Sequence, residues 1–282
     1  MNEITQARLT RLKEILKEQG RVAVCYSGGV DSTFLLKVAH DLLGEDCIAV
    51  TAMSSTFSAR ERRRAAAICE AEQIRQIFVD TQELTIPEFY ENPPDRCYHC
   101  KKMLMGALTR AAAAEGFPVL AEGTNADDLS DYRPGFRALQ EMRPRILSPL
   151  LEAGLTKAEI REASRKLGLT TADLPSFACL ATRFAYGERI TAEGLKRVEA
   201  AEEVLAQAGF TQFRVRVHQN LARIEVAPGQ MDAFAEEAFR EDIYSKLKAL
   251  GYAYVTLDLR GYRTGSMNEV LADAASINNK KL

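Results

Sequence analysis

The chain has 282 residues, 46% of them hydrophobic, with six cysteines, 37 Lys and Arg against 39 Asp and Glu, and a formal net charge of −2 at pH 7. That is enough apolar material for one large domain or a medium domain with a smaller one, and no apolar run approaches the roughly 18 residues that a membrane span needs. The balanced charge gives no general pull toward nucleic acid. An N-terminus without an apolar leader points to the cytoplasm, where six thiols favour metal or sulfur chemistry over a disulfide framework.

Residues 1–20 carry the pattern of a charged amphipathic helix. RVAVCYSGG follows, a valine-rich strand run ending in a glycine turn, and VDSTFLLKVAHDLLG then shows helical spacing at Phe34, Leu35, Val38 and Leu42. The alternation continues with a strand at 47–53, a helix at 58–73, a strand at 74–80, a helix at 100–116 and a strand at 118–124. A short strand at 145–151 and a helix at 156–168 close the series. Strands alternating with helices of this length predict an α/β fold with a doubly wound parallel sheet. After about residue 185 the rhythm changes to a helix at 191–209, two strands in QFRVRVHQ and LARIEVAP, a helix at 231–251 and a last strand in YAYVTLDL. This predicts a smaller C-terminal α+β domain, with residues 1–185 and 186–282 as the two domains. The run RERRR (60–64) reads as a solvated helix face.

Between the first strand and its helix stands SGGVDS, Ser27 to Ser32. At the carboxyl end of a parallel strand, a glycine turn lets backbone N–H groups close on an anion at a helix N-terminus. Gly28 and Gly29 permit the turn, Ser27 and Ser32 add hydroxyls, and Asp31 can cap the helix or hold Mg²⁺. The plain alternative is a capped helix start with no ligand. The string resembles the PP-loop of ATP pyrophosphatases and lacks the lysine of a Walker loop. EGTNADD (122–128) resembles the second signature of that superfamily. The resemblance implies ATP cleavage between the α and β phosphates, with Ser27, Gly28, Gly29, Val30, Asp31, Ser32, Met53 and Gly123 as the ATP-binding set.

The cysteines divide into two groups. Cys25 and Cys47 lie in apolar strands and Cys69 on an apolar helical stripe, so all three read as core thiols. Cys97 and Cys100 open a helix in RCYHCKK, and Cys179 lies in the loop-like LPSFACLATRF. His99 is badly placed to share a metal with the pair. Three thiolates with an open position suit a [4Fe–4S] cluster; zinc or persulfide chemistry and unconnected surface thiols are the alternatives.

Together with EGTNADDLSDYRPG, ACLATRFAYGERI, FRVRVH with ARIEV, and LDLRGYRTGSMNE, the chain resembles the LarE family of sulfur transferases over nearly its full length. In that family one type gives up the sulfur of a single cysteine, matched here by Cys179. Another carries a [4Fe–4S] cluster on three cysteines, and Cys97, Cys100 and Cys179 match that type. The resemblance implies ATP and Mg²⁺ as further requirements, a pyridinium mononucleotide as substrate and a homo-oligomer, up to a hexamer. Asp31 joins the three cysteines as the catalytic set. Arg214, Arg216 and His218 alternate on one strand, where an arginine pair can hold a phosphate; Thr182 and Arg183 join them by resemblance. A solvated strand face is the alternative. A tRNA thiolase and a non-catalytic metal carrier are the rival functions.

Overall fold

The computed structural model describes residues 2–130, 134–175 and 179–270. The chain forms two compact units, one of residues 1–89 and 95–177 and one of residues 90–94 and 178–282. In chain order the first unit is built from α1 (Glu3–Gln19), β1 (Val22–Cys25), α2 (Val30–Leu43), β2 (Cys47–Met53), α3 (Ala59–Ala71) and β3 (Gln76–Asp80). It continues through the short α4 (Pro87–Tyr90), α5 (Arg96–Ala114), β4 (Val119–Ala121), α6 (Pro134–Glu141), β5 (Ile146–Leu147), α7 (Pro149–Glu152) and α8 (Lys157–Lys166).

The strands form one sheet in the order β3-β2-β1-β4-β5, every pair parallel. Period-two alternation divides its residues between two cores. Val22, Val24, Cys47 and Ala49 pack on one face against Leu12, Leu16, Phe34, Leu35, Ala65 and Ile160 of α1, α2, α3 and α8. Ala23, Ile48, Val50 and Leu120 pack on the other against Met105, Leu108, Ala112 and Leu139 of α5 and α6. This is the doubly wound α/β arrangement that the alternating pattern predicts. The order reverses between β1 and β4, and in open α/β sheets ligands bind outside the carboxyl ends of the strands at such a point.

Helix starts are fixed by local chemistry. Asn2 accepts the Thr5 N–H at the head of α1, and Ser58 with Glu61 and Thr156 with Glu159 form reciprocal capping boxes on α3 and α8. One strand is shorter than its apolar run suggests. The run at 145–151 gives only two strand residues, because Pro149 cannot donate to a ladder and starts α7 instead. No helix among the described residues is long and apolar enough to cross a membrane.

The second unit contains α9 (Ala192–Gln207), β6 (Phe213–His218), β7 (Leu221–Val226), α10 (Glu237–Ala249) and β8 (Tyr254–Leu257). β6 and β7 are antiparallel, while β8 joins β7 in parallel. The helix expected over 231–251 is split: Pro228–Ala235 winds as a 3₁₀ segment, and α10 starts only after Glu236, whose carboxylate accepts the Phe239 N–H. Residues 90–94 are sewn into this unit by Ile190 N–H to Tyr90 O, Gly187 N–H to Asn92 O, and Asn92 Nδ2 to Ala185 O.

Glu159 ties the first helix to α8. Its carboxylate accepts from the Thr156 backbone and hydroxyl, from Thr5 Oγ1 at 2.9 Å and from Arg8 Nη1 at 2.8 Å. Burial pulls its pKa upward, but the bonds from Thr156, Thr5 and Arg8 together lower it from 4.5 to about 2. A depressed carboxyl pKa contributes stability that is complete above the unfolded value and fades as pH falls toward the folded one. Replacing Glu159 by Ala therefore lowers stability at pH 7 by about 1–2 kcal/mol, the cost of a lost cap with its bonds. The gap in melting temperature to the wild type narrows between pH 4.5 and 2, as measured by thermal denaturation across that range.

Candidate active site

The turn from β1 into α2 is made by backbone and not by side chains. Gly28 sits at φ +69°, and a Cβ there would stand 3.0 Å from Ala65 Cβ on α3. A side chain is excluded both by the left-handed backbone and by that contact. Gly29 is the N-cap of α2 and makes no side-chain cap, so the first N–H groups of α2 keep their anion-binding capacity. Ser32 closes the loop from within: its Oγ lies 3.1 Å from Ser27 Oγ, donates to Gly29 O at 3.3 Å and accepts from Ser27 N at 3.4 Å. Val30 faces the core at 4% exposure. Met53 ends β2 and is exposed.

The second motif wraps against this loop. A Cβ on Gly123 would come within 3.2 Å of the Ser32 amide nitrogen and 3.3 Å of Asp31 Cβ, so β4 delivers its end directly onto the head of α2. Buried Glu122 accepts from the Thr124 amide and hydroxyl and from Ser148 Oγ. Asn125 is also buried; its side-chain oxygen accepts the Asp127 N–H at 3.0 Å, and its Nδ2 donates to Asp31 Oδ1 at 3.4 Å. The other Asp31 oxygen is paired with Lys157. Lys157 has no part in either motif and is not legible in the sequence, since it reaches Asp31 from 126 positions away.

Cys47 and Cys69 are buried, Cys25 and Cys100 are half-buried, and Cys97 and Cys179 are exposed. Burial pushes the Cys25 thiol up to about 11 and those of Cys47 and Cys69 up to about 12, which suppresses the thiolate at neutral pH. Cys97 and Cys100 occupy the first turn of α5, one helical turn apart and so on the same side, with Cys97 exposed. Arg96 Nη2 lies 3.6 Å from Cys97 Sγ, and His99 is turned to Asp95 at 3.3 Å. The pair suits a soft metal as a two-thiolate donor set. Cys179 is exposed and belongs to the second unit. Among the described residues no three His, Cys, Asp or Glu side chains are grouped closely enough to hold a metal ion.

Cys179 leads a 3₁₀ turn, Leu180–Arg183, and its carbonyl accepts from Thr182 N, Thr182 Oγ1 and Arg183 Nη1. Arg183 forks onto Glu202 of α9 at 2.7 and 3.0 Å, and this pair is buried. Burial opposes charge on Glu202, but the Arg183 guanidinium and its bonds outweigh it and hold the carboxyl below its ordinary range. Arg216 donates to Glu225 Oε2 at 3.0 Å, to Thr182 O at 3.2 Å and to Ser266 Oγ at 3.0 Å. Arg214 donates to Phe213 O and lies over the Tyr262 ring at 5.0 Å; burial first, and then the charge of Arg183, lower its pKa to about 10.

β6 is therefore not a solvated face, since Arg214 and Arg216 are 2% and 5% exposed. Thr182, Arg183, Arg214 and Arg216 lie near one another, through the Arg183 and Arg216 bonds to Thr182 and the charge of Arg183 on Arg214. His218, at the end of β6, is more open, and burial followed by the charges of Arg223 and Arg216 lowers its pKa. The acids Glu202 and Glu225 are partners that the motifs do not announce. Glu225 has a signal: the two-residue Gln219–Asn220 connection pairs His218 with Leu221, which sets Arg214 opposite Glu225.

No family model matches the chain. It is 42% identical over 266 residues to the uncharacterized protein slr1717 of Synechocystis, covering 94% of this chain and 98% of that protein. It is 37% identical over 260 residues to the pyridinium-3,5-bisthiocarboxylic acid mononucleotide synthase of Lactiplantibacillus plantarum, covering 92% of this chain and 93% of the synthase. A weaker similarity, 25% over 166 residues, covers 54% of this chain and 40% of the argininosuccinate synthase of Pyrococcus furiosus, in keeping with the PP-loop fold. With both units spanned by the mononucleotide synthase match, the chain belongs to the LarE family.

Proposed function

We propose that this protein is an ATP-dependent sulfur transferase that converts the carboxylates of pyridinium-3,5-biscarboxylic acid mononucleotide to thiocarboxylates, a step toward a nickel-pincer nucleotide. What carries the reading is the 37% identity to the mononucleotide synthase over 92% of the chain. The phosphate cradle at the head of α2 supports it. In this reading the N–H groups of the Gly28–Gly29 turn and of α2 hold the phosphates of ATP, with Asp31 serving Mg²⁺. A substrate carboxylate oxygen attacks the α-phosphorus and pyrophosphate departs with the electron pair of the broken P–O bond. The acyl adenylate is then attacked at carbon by a sulfur nucleophile, the C–S bond forms, and AMP leaves with the C–O electrons. Adenylation is needed because an oxide ion is a poor leaving group and AMP a good one.

Cys97, Cys100 and Cys179 are the sulfur-handling residues in this reading. A [4Fe–4S] cluster on these three thiolates would supply an open iron position for an added sulfide. Arg214 and Arg216, with Thr182 and Arg183, hold the substrate phosphate by exchanging some of their present partners for its oxygens. A homo-oligomer in the cytoplasm completes the proposal.

Three measurements test it. Asp31→Ala abolishes pyrophosphate release in the presence of ATP, Mg²⁺ and substrate while leaving the circular dichroism spectrum unchanged; release at the wild-type rate overturns the ATP assignment. Arg216→Lys keeps a charge beside Glu225 but loses the planar fork, so titration calorimetry shows substrate binding weakened by about tenfold or more with ATP binding unchanged. For the thiols, protein purified without oxygen is assayed for iron, sulfide and visible absorbance. Alanine at Cys97, Cys100 or Cys179 removes chromophore and thiolation together, while Cys69→Ala keeps both. A polypeptide that becomes lighter by one H₂S during turnover shows instead that Cys179 is consumed.

A further inference from the structure

Three helices of the first unit, α1, α2 and α8, enclose an open cleft of about 270 Å³. Its apolar walls are Leu9 from α1, Phe34, Val38 and Leu42 from α2, and Ala163 with Leu167 from the end of α8. Spacings of four residues put each set on one stripe of its helix, so three stripes face one space. Ala163 is buried and presents only a methyl group, which leaves the α8 wall too thin to fill that space. Leu42 and Leu167 are 36% and 42% exposed, large apolar side chains left in water at the mouth. The mouth is far from the nucleotide cradle, since Leu42 lies about 16 Å further down α2 than Asp31 by the helical rise.

Three charged residues also line the cleft, and they are not equally engaged. Asp41 is bound by Lys37 at 2.7 Å, and Lys166 has Glu162 at 3.2 Å. Lys13 of α1 has no ion pair among the described residues. A lysine stem can cover an apolar wall while its ammonium stays in water, so Lys13 offers an uncommitted positive charge beside the apolar interior. Apolar walls with one placed charge suit a ligand with a hydrocarbon body and a single anionic head. An apolar cavity of about 150 Å³ holds benzene, so this space takes a body of roughly eight to ten carbons. A nucleotide, polar along its length, gains little from such walls.

We propose that the cleft between α1, α2 and α8 is a second binding site, for a medium-chain carboxylate whose hydrocarbon body lies along Phe34, Val38 and Ala163 and whose head meets the Lys13 ammonium. The occupant is a free soluble molecule, because the space is closed on three sides by helices and is the size of one short chain. The proposal does not depend on the reading of the nucleotide cradle.

The test is titration calorimetry of the full chain at pH 7 with octanoate, octanol and octylammonium, three probes with one body and different heads. The wild type is expected to bind one octanoate per chain, with octanol weaker by about fivefold or more and octylammonium weaker still. Lys13→Glu, at an exposed position, reduces octanoate affinity by about fivefold or more and leaves octanol unchanged, while Lys13→Arg stays near the wild type. Ala163→Leu fills the cleft from within and Leu42→Trp fills it from the exposed mouth, and each abolishes binding of octanoate and octanol alike. Melting curves show that the variants are folded, and Leu42→Trp carries the test if Ala163→Leu is not. No octanoate binding to the wild type overturns the proposal, as do equal affinities for the three probes or undiminished binding in folded Leu42→Trp. Sedimentation covers the other occupants: self-association, or pelleting with phosphatidylglycerol vesicles, that Leu42→Trp removes from a wild type indifferent to octanoate assigns the face to a second copy or to a membrane, and overturns it too.

Discussion

A turn packed between its neighbours has no room for a side chain at the points of contact, and that constraint organises the head of α2 in the first unit. Gly28 meets it by taking a left-handed turn within van der Waals reach of Ala65, which brings α3 hard against the loop. Gly123 meets it from the opposite side, letting β4 end on the amide of Ser32. The sheet order places both contacts at the point where the winding reverses. Cradle, crevice and the two glycines are therefore one feature seen at three scales.

The second unit solves the opposite problem. It buries cations, and each of Arg183 and Arg216 is matched to a buried carboxylate, Glu202 and Glu225. Desolvating such pairs costs several kcal/mol per ion, so they are a weak source of stability and are better understood as fixing geometry. Removing either acid leaves an uncompensated guanidinium indoors.

How much of this can be read from the sequence follows from the range of each interaction. The sheet is legible because its strands are short apolar runs between helices with 3.6-residue periodicity, and the cradle is legible because SGGVDS is contiguous. The Cys25, Cys47 and Cys69 assignments rest on local apolar context, which is also what raises their pKa values. Lys157, Glu202 and the strap at 90–94 are not legible, since each acquires its role from a partner far along the chain. The basic strand leaves a solvated face open as an alternative because period two marks a shared face without saying what covers it; a buried glutamate does.

The strap has a consequence for how the protein can be divided. Asn92, wholly buried, and Tyr90 bond to Ala185, Gly187 and Ile190, so the second unit takes a stitch from the middle of the first unit's sequence before the chain returns at Asp95. The polypeptide crosses between units three times. No single cut yields the second unit whole, and it cannot be swapped between relatives as a C-terminal cassette; recombination that respects the fold must carry five internal residues along with the tail.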